Sequence, residues 1–517
     1  MRLITICSII LLAFFQISAR AHTPTWTEGI ACIIYSHCTS CHNPKGIAPF
    51  SLTRYEDVFA NRFSIAASVQ AGSMPPFPPS QDKQKYAHAN TLTQHEKDEI
   101  IQWVNNFAPL GDANNIPTPP VYNDGYQMTN PDQVLQIPTY TVNTTSDLYR
   151  VFVLPINNSS QQFIREIEVV PGNREIVHHV LVFQDSSSIP LQLDNNDPLP
   201  GYTAFGGTGS PTSKLITGYT PGQGVFKYPP GFGVMVMPRS YVILQIHYPG
   251  GISNQTDSTQ IRIRYGPGTL RNMNTTPALN HNNTLTNGPL FIPANTVKTF
   301  YSQLTVPTNR TVTGVMPHMH LLGKKIKSYC IKPNGDTIHL VDIPEWDFHW
   351  QGFYQFQKPI LIPAGSVLYG EATYDNTSAN IHNPNFPPQD VRQGEGTGDE
   401  MMLIYFNVAN YQPGDTSIII DTLSHLTHYN NCSNEGEPIP ASTVTIYPNP
   451  TDGYFIIDGL NNPFDIVLYS SSGQEVLIQK NLNGRSTVQT GALATGTYYL
   501  EIRTMYNQVY YKIVMVK

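Results

Sequence analysis

The sequence predicts a mainly β protein of several domains, and three observations carry that expectation. Short runs of alternating apolar and polar residues recur between about 131 and 430, among them "FIREIEVV", "YVILQIHY" and "IRIRY", with frequent turns between them. Successive side chains on a strand point to opposite faces, so such runs suit antiparallel sandwiches with one face buried. The 43 Pro and 37 Gly interrupt the chain often, and the 29 Tyr with many Thr and Val residues favour strands. Residues 22–112 differ, because their apolar residues return at helical spacing. A chain of 517 residues is too long for one hydrophobic core and suggests about three or four domains. With 13% charged residues, a net charge of −7 and scattered Lys and Arg, no nucleic-acid surface is expected.

The first 21 residues, "MRLITICSIILLAFFQISARA", combine one Arg, an apolar run from Leu3 to Phe15 and small residues at Ala19 and Ala21. That is the pattern of a secretory signal peptide cleaved after Ala21. No later run is long and apolar enough to span a bilayer, so the mature protein is expected to be exported and soluble. Over 22–112, "TWTEGIACIIYSHC", "RYEDVFANRFSIAASV" and "TQHEKDEIIQWVNNFAP" read as helices. The last opens with a capping box, Thr93 to Glu96, and carries Ile100, Val104 and Phe107 at helical spacing. "CTSCH", Cys38 to His42, is the haem-attachment pattern, with two thiols for thioether bonds and His42 as proximal iron ligand. A zinc half-site is the alternative; the exported helical setting and a following Met74, a candidate distal ligand, favour haem c. The unit looks like a small c-type cytochrome. A Pro-, Gly- and Asn-containing linker follows, at 113–130.

Two β-sandwiches are expected next, over 131–272 and 273–430, with an Asn-, Thr- and Pro-rich joint near 272–290. Their strand-like segments carry His178 and His179 in "EIVHHVLVF", His247 in "LQIHYPG", and His318 and His320 in "MPHMHLLG". Residues i and i+2 of a strand share a face, so His318 and His320 would stand side by side. His178 and His179 would share a metal only where the strand is bulged or twisted. Three imidazoles could equally hold zinc; a methionine ligand would select copper, particularly Cu(I).

The order HH, QxHY, HxHxxG and then "GTGDEM", Gly396 to Met401, resembles the ascorbate-dependent type II copper monooxygenases, which include the peptidylglycine α-hydroxylating and dopamine β-monooxygenases. That resemblance covers roughly 131–430 and implies two jelly-roll-like copper domains. It implies an electron-transfer copper held by His178, His179 and His247, and an oxygen-activating copper held by His318, His320 and Met401, with Met402 the rival ligand. Tyr405 matches an active-site tyrosine of the family. An organic substrate, dioxygen, a solvent-filled cleft between the coppers and a one-electron reductant such as ascorbate are implied as well. Two departures stand out. The peptide-amidating members carry an Arg where this chain has Met316 and an Asn where it has Leu403, so an apolar substrate pocket is expected. Of the family's disulfide framework only a Cys330–Cys432 pair is conceivable here. The other histidines, among them His281 and His349, read as structural or surface residues.

From 443, after a 431–442 linker, "YPNPTDGYFII" and "GTYYLEI" look like the C-terminal sorting domain of the type IX secretion system, a small β-sandwich that addresses a protein to that machinery. The expected function is a copper monooxygenase at the cell surface or beyond it, with the fused haem as electron donor. A non-catalytic surface electron carrier or copper-binding protein is the alternative.

Overall fold

Residues 23–122, 125–421, 444–460, 463–470, 475–504 and 509–517 are described by the computed structural model. The signal-peptide segment 1–21 and Cys432 lie outside them. Helix α1 (Ile30–His37) is shorter than its sequence pattern, because Thr25 to Gly29 form a turn and Gly29 sits at a φ of 110°. It packs with α2 (Tyr55–Ala71) and α3 (Gln94–Asn105) around Trp26 and Trp103, whose rings are 6.3 Å apart. The capping box at the start of α3 is present: the Thr93 hydroxyl accepts from Glu96 N–H at 3.2 Å, and the Glu96 carboxylate accepts from Thr93 N–H at 2.7 Å. Phe107 departs from expectation. The helix has ended before it, its backbone is left-handed at φ 64°, and its ring is 90% exposed. Trp103 fills the place on the core face.

The helical unit is fastened to the rest of the chain at two places. Between α2 and α3 the chain buries Tyr86 in the core of the second sandwich, where its hydroxyl donates to Leu340 O at 3.1 Å and its ring meets Phe77, Tyr354 and Phe356. Backbone bonds from Ser80 N–H to Asp342 O and from Ala87 N–H to Gln355 O, both 2.8 Å, extend the contact. On the other side the Tyr122 hydroxyl donates to Thr39 Oγ1 at 2.6 Å, and the N–H groups of Gln127 and Met128 donate to the Glu168 carboxylate on the first sandwich.

The first sandwich pairs two antiparallel-rich sheets. One runs in the order 133–136, 260–266, 162–170, 232–236, 271–272; the other runs 202–203, 148–155, 241–248, 179–185, 214–219. The strand Tyr241–Tyr248 is apolar on both faces for a reason. Val242, Leu244 and Ile246 enter the sandwich core, while Ile243 packs outside it against Val151 and Tyr202. Burying each such side chain contributes about 1.5–3 kcal/mol. A short helix, α4 (Ile189–Asn196), interrupts a stretch that the sequence suggests is all strand and turn.

In the second sandwich, strands 274–280, 403–410, 310–318 and 354–362 form one sheet, and 296–305, 367–376, 323–331 and 337–343 the other. Cys330 is a buried thiol in its core. The two sandwiches meet directly: Phe353 packs on the first core, Thr275 Oγ1 donates to Ile216 O at 3.0 Å, and Gln355 Nε2 donates to Lys227 O at 2.8 Å. The tail forms its own three- and four-stranded sheets around Phe455, Phe464 and Leu500. Among the described residues no helix is long and apolar enough to cross a membrane.

Candidate metal centre

A cleft of about 690 Å³ opens between the sandwiches, and histidines stand on both of its walls. On the first wall His247 occupies a central strand, directly opposite His179 on one neighbour and Tyr149 on the other. Opposed residues of antiparallel strands share a face, so all three side chains point the same way. His178 lies one residue before the strand begins. A turn replaces the strand expected there, since Val177 N–H bonds back to Asn173 O. Released from strict alternation, His178 joins the set, with its Nδ1 3.2 Å from His179 Nδ1. His247 Nδ1 is 3.3 Å from His179 Nδ1. One ring nitrogen from each of the three lies within 4.8 Å of the others.

These separations fit a metal. With metal–nitrogen bonds of about 2.0–2.1 Å, tetrahedral ligand nitrogens sit about 3.3 Å apart. Behind the site, His247 Nε2 lies 3.3 Å from Asp147 Oδ1, at an angle too poor for a good hydrogen bond. The contact still holds the Asp147 carboxyl down at about 2, with His247 the largest cause. Asp147 also accepts from the hydroxyl of Thr397, on the second sandwich. Tyr149 stacks on the His247 ring at 4.4 Å and 2°.

On the second wall the strand Arg310–His318 pairs Met316 with Tyr405 and His318 with Leu403. The strand ends at His318, so His320 stands in the following turn instead of two places along a strand. Their rings nevertheless lie 5.1 Å apart, at 85°. His320 Nδ1–H donates to Asp399 O at 3.1 Å, and His318 Nδ1 is bonded to the Gln351 side-chain oxygen. Bonding at Nδ1 fixes the tautomer and leaves Nε2 of each ring as the atom that could face a metal. Met401 lines the cleft beside them. Met402 does not: it is wholly buried in the sandwich core.

Glu400 holds this wall together. Its fully buried carboxylate accepts three backbone N–H groups, from His320 at 3.0 Å, Leu322 at 2.7 Å and Met401 at 3.1 Å. Burial pushes its carboxyl up to about 8 even though those donors pull the other way. Burial also keeps the imidazoles neutral. His178 and His320 fall to about 4 and His318 to about 3, while His179 falls well below its usual value. Neutral rings are the form that binds metal. Burial raises the Tyr405 phenol to about 12, so it stays protonated.

Phe348 stands between the walls, where the family resemblance implied solvent. Its ring stacks on His178 at 5.4 Å and 21° and meets His320 edge-on at 6.0 Å. Gln351, from the same loop, holds His318, and His349 lies 6.3 Å from His178. Sequence reasoning missed this loop, Asp147 and Glu400. His281 was expected to be structural or on the surface; it is buried, lines the cleft and accepts Met402 N–H at 3.1 Å. Only Glu400, next to a candidate ligand, carried a usable signal.

Cys38 and Cys41 sit at the end of α1, both as free thiols. His42 Nδ1–H donates to Phe50 O at 3.0 Å, which leaves Nε2 available for iron. Met74 lies beyond the end of α2 and is 36% exposed. Among the described residues, no hydrogen bond, ring contact or shared cavity joins it to His42.

Three family profiles match the chain. "Copper type II ascorbate-dependent monooxygenase, N-terminal domain" covers residues 134–253, and the C-terminal domain of that family covers 298–439. "Secretion system C-terminal sorting domain" covers 445–517. No curated protein sequence matches. Among solved structures, PorZ of the Porphyromonas gingivalis type IX secretion system is 16% identical over 22% of this chain and 14% of its own, with a TM-score of 0.14. A Dictyoglomus thermophilum β-D-glucuronidase is 10% identical over 48% of this chain and 45% of its own, with a TM-score of 0.13. The chain thus spans well under two thirds of either structure. The sorting domain implies export through the type IX machinery to the cell surface or beyond. With both of its domains present in order, the chain belongs to the copper type II ascorbate-dependent monooxygenase family.

Proposed function

We propose that the protein hydroxylates a C–H bond of an organic substrate with dioxygen, using two mononuclear coppers. His178, His179 and His247 hold the electron-storing copper; His318, His320 and Met401 hold the one that faces oxygen. The observation that carries this reading is the convergence of one ring nitrogen from each of His178, His179 and His247, two of the pairs at 3.2 and 3.3 Å, across a cleft from a His–His–Met set. Copper, when bound, supplies one-electron chemistry at the first site and an open position for dioxygen at the second, where a thioether favours Cu(I).

The chain's own groups do the rest. Asp147 orients His247, Gln351 and Asp399 O orient His318 and His320, and Glu400 fixes the turn that bears His320 against the segment that bears Met401. Tyr405 keeps a hydroxyl proton for donation into the cleft. Met316, Leu403, Leu181 and Phe353 give apolar walls, and no Arg lines the cleft among the described residues. Lys214 is the cation among the described lining residues, and in place of the peptide-gripping Arg the chain has Met316, so a largely apolar substrate suits such walls better than a glycine-extended peptide does.

In the same reading residues 1–21 are a signal peptide, and within 22–112 Cys38, Cys41 and His42 would hold a haem c, with Met74 the further ligand that the sequence offers. Such a haem would supply one-electron chemistry to the coppers in place of, or relayed from, a soluble donor such as ascorbate. The test is metal analysis together with reductant-driven oxygen uptake across a panel of organic substrates. About two coppers per chain and substrate-dependent uptake are expected. Copper without such uptake would favour a surface electron carrier instead.

A further inference from the structure

We propose that electrons from the haem enter the copper pair at the His178–His179–His247 centre, across the contact between Cys41 and the turn at Gly222. The proposal rests on the haem and copper assignments above and adds the route between them. Cys41 Sγ presses on the first sandwich: a Cβ built on Gly222 would come within 2.9 Å of the sulfur. Gly222 has a φ of 85°, so the position both demands glycine and leaves backbone bare against the thiol. This turn, closed by Gln223 N–H to Thr220 O at 3.0 Å, follows the strand Lys214–Tyr219. Tyr219 pairs with Val180, the residue after His179, and lines the same cleft as His179. Arg174, whose charge acts on Cys41, lies in the turn that leads to His178. Within its own unit the thiol meets Ser40 and Cys38; across the boundary it faces the turn after the strand that pairs beside His179.

The contacts with the second sandwich run from Ser80 to Ala87 onto Asp342 and the strand Tyr354–Ile362, which bears no candidate ligand and pairs with the strand that ends at His318. Where Pro76 to Pro78 approach the Phe348 loop, a cavity of about 380 Å³ intervenes. In the step itself, ferrous haem gives one electron to Cu(II) at the first centre. The products are ferric haem and Cu(I), with no bond made and no proton moved. An external one-electron donor then reduces the haem again. Gly222 acts as a positioning residue that sets the separation of donor and acceptor.

The experiment uses the full chain, with covalent haem first verified by its pyridine haemochrome spectrum and copper content measured for every variant. Haem is reduced without copper, Cu(II) is added, and oxidation of the haem is followed by stopped flow. One equivalent of haem should be oxidised promptly. His179→Ala should slow this by about tenfold or more, whereas Met401→Ile should retain it. Gly222→Val should also slow it. Gly231→Val should not, because Gly231 shares the positive φ, at 84°, but has nothing near its Cβ position. Oxidation that survives His179→Ala, that depends on Met401, or that responds equally to both glycine variants overturns the route. So does a haem that stays ferrous in the unaltered chain. A chain without covalent haem overturns the haem assignment and this proposal with it.

Discussion

Replacing Glu400 should weaken the oxygen-facing metal site before it unfolds the protein. Oε2 accepts the N–H groups of His320 and Met401, and Oε1 accepts that of Leu322. Glu400→Gln keeps one oxygen, which at best retains the pair of bonds and turns an amide N–H₂ toward Leu322. A buried donor left unpaired costs about 1–3 kcal/mol. Glu400→Ala strands all three donors in a place with no solvent exposure, and about 4 kcal/mol is expected, at the upper end of single-site effects. The two donors at His320 and Met401 belong to separate chain segments, which in the proposed site meet at one ion. Loss of the clamp should therefore appear as loss of sulfur scattering in the X-ray absorption spectrum of the Cu(I) protein, with the nitrogen scattering of the first site unchanged. Urea denaturation gives the stability term. If Glu400→Ala retains both its urea midpoint and its copper–sulfur signal, the clamp reasoning is wrong.

Met401→Ile should reduce substrate-dependent oxygen uptake by about a hundredfold, equivalent to about 2.7 kcal/mol of barrier, while total copper falls much less; parallel losses of copper and activity would contradict it. Tyr86→Ala should cost about 3–5 kcal/mol at the seam between the helical unit and the second sandwich and expose residues 76–90 to proteolysis, whereas Tyr86→Phe, which loses one hydrogen bond, should cost about 1 kcal/mol. The buried His37–Glu96 pair, at 3.2 Å, should give the helical unit a pH window. Burial opposes both charges. Hydrogen bonds from His37 and Thr93 nonetheless bring Glu96 down to about 2 from 4.5, so its contribution is present above pH 4.5 and lost as pH falls toward 2. The Glu96 bond and charge likewise outweigh burial at His37 and raise it above 6.5, so that contribution is full below pH 6.5 and lost as pH rises through the raised value. Urea midpoints of the helical unit should therefore peak between about pH 4.5 and 6.5, and a flat profile that Glu96→Gln does not alter would refute the pair's role.

How much of this was legible in the chain depended on how local the physics is. The capping box of α3 could be read because both partners lie within four residues. Phe107 was misplaced for the complementary reason: apolar spacing shows a helical face but not where the helix stops, and here the backbone turns left-handed two residues after the last helical residue. The histidines were recognisable by type, yet the manner of their meeting was not. His178 joins because its strand begins one residue late, and His320 because its strand stops two residues early. Asp147 and Thr397 stand 250 residues apart, and nothing in "SDLYR" or "GTGDE" announces that they bond. Phe348 sits in an aromatic-rich loop with no spacing rule, so only the folded chain shows it between the two walls.

Tyr86 and Cys41 give the helical unit one footing on each sandwich. A body braced against both sandwiches behaves as a strut. Any widening of the gap around Phe348 must stretch the strut, slide one footing, or carry the whole helical unit along. On the proposed route the mechanical load would fall on the contact that carries charge, so access for a large molecule and delivery of electrons would be set against each other.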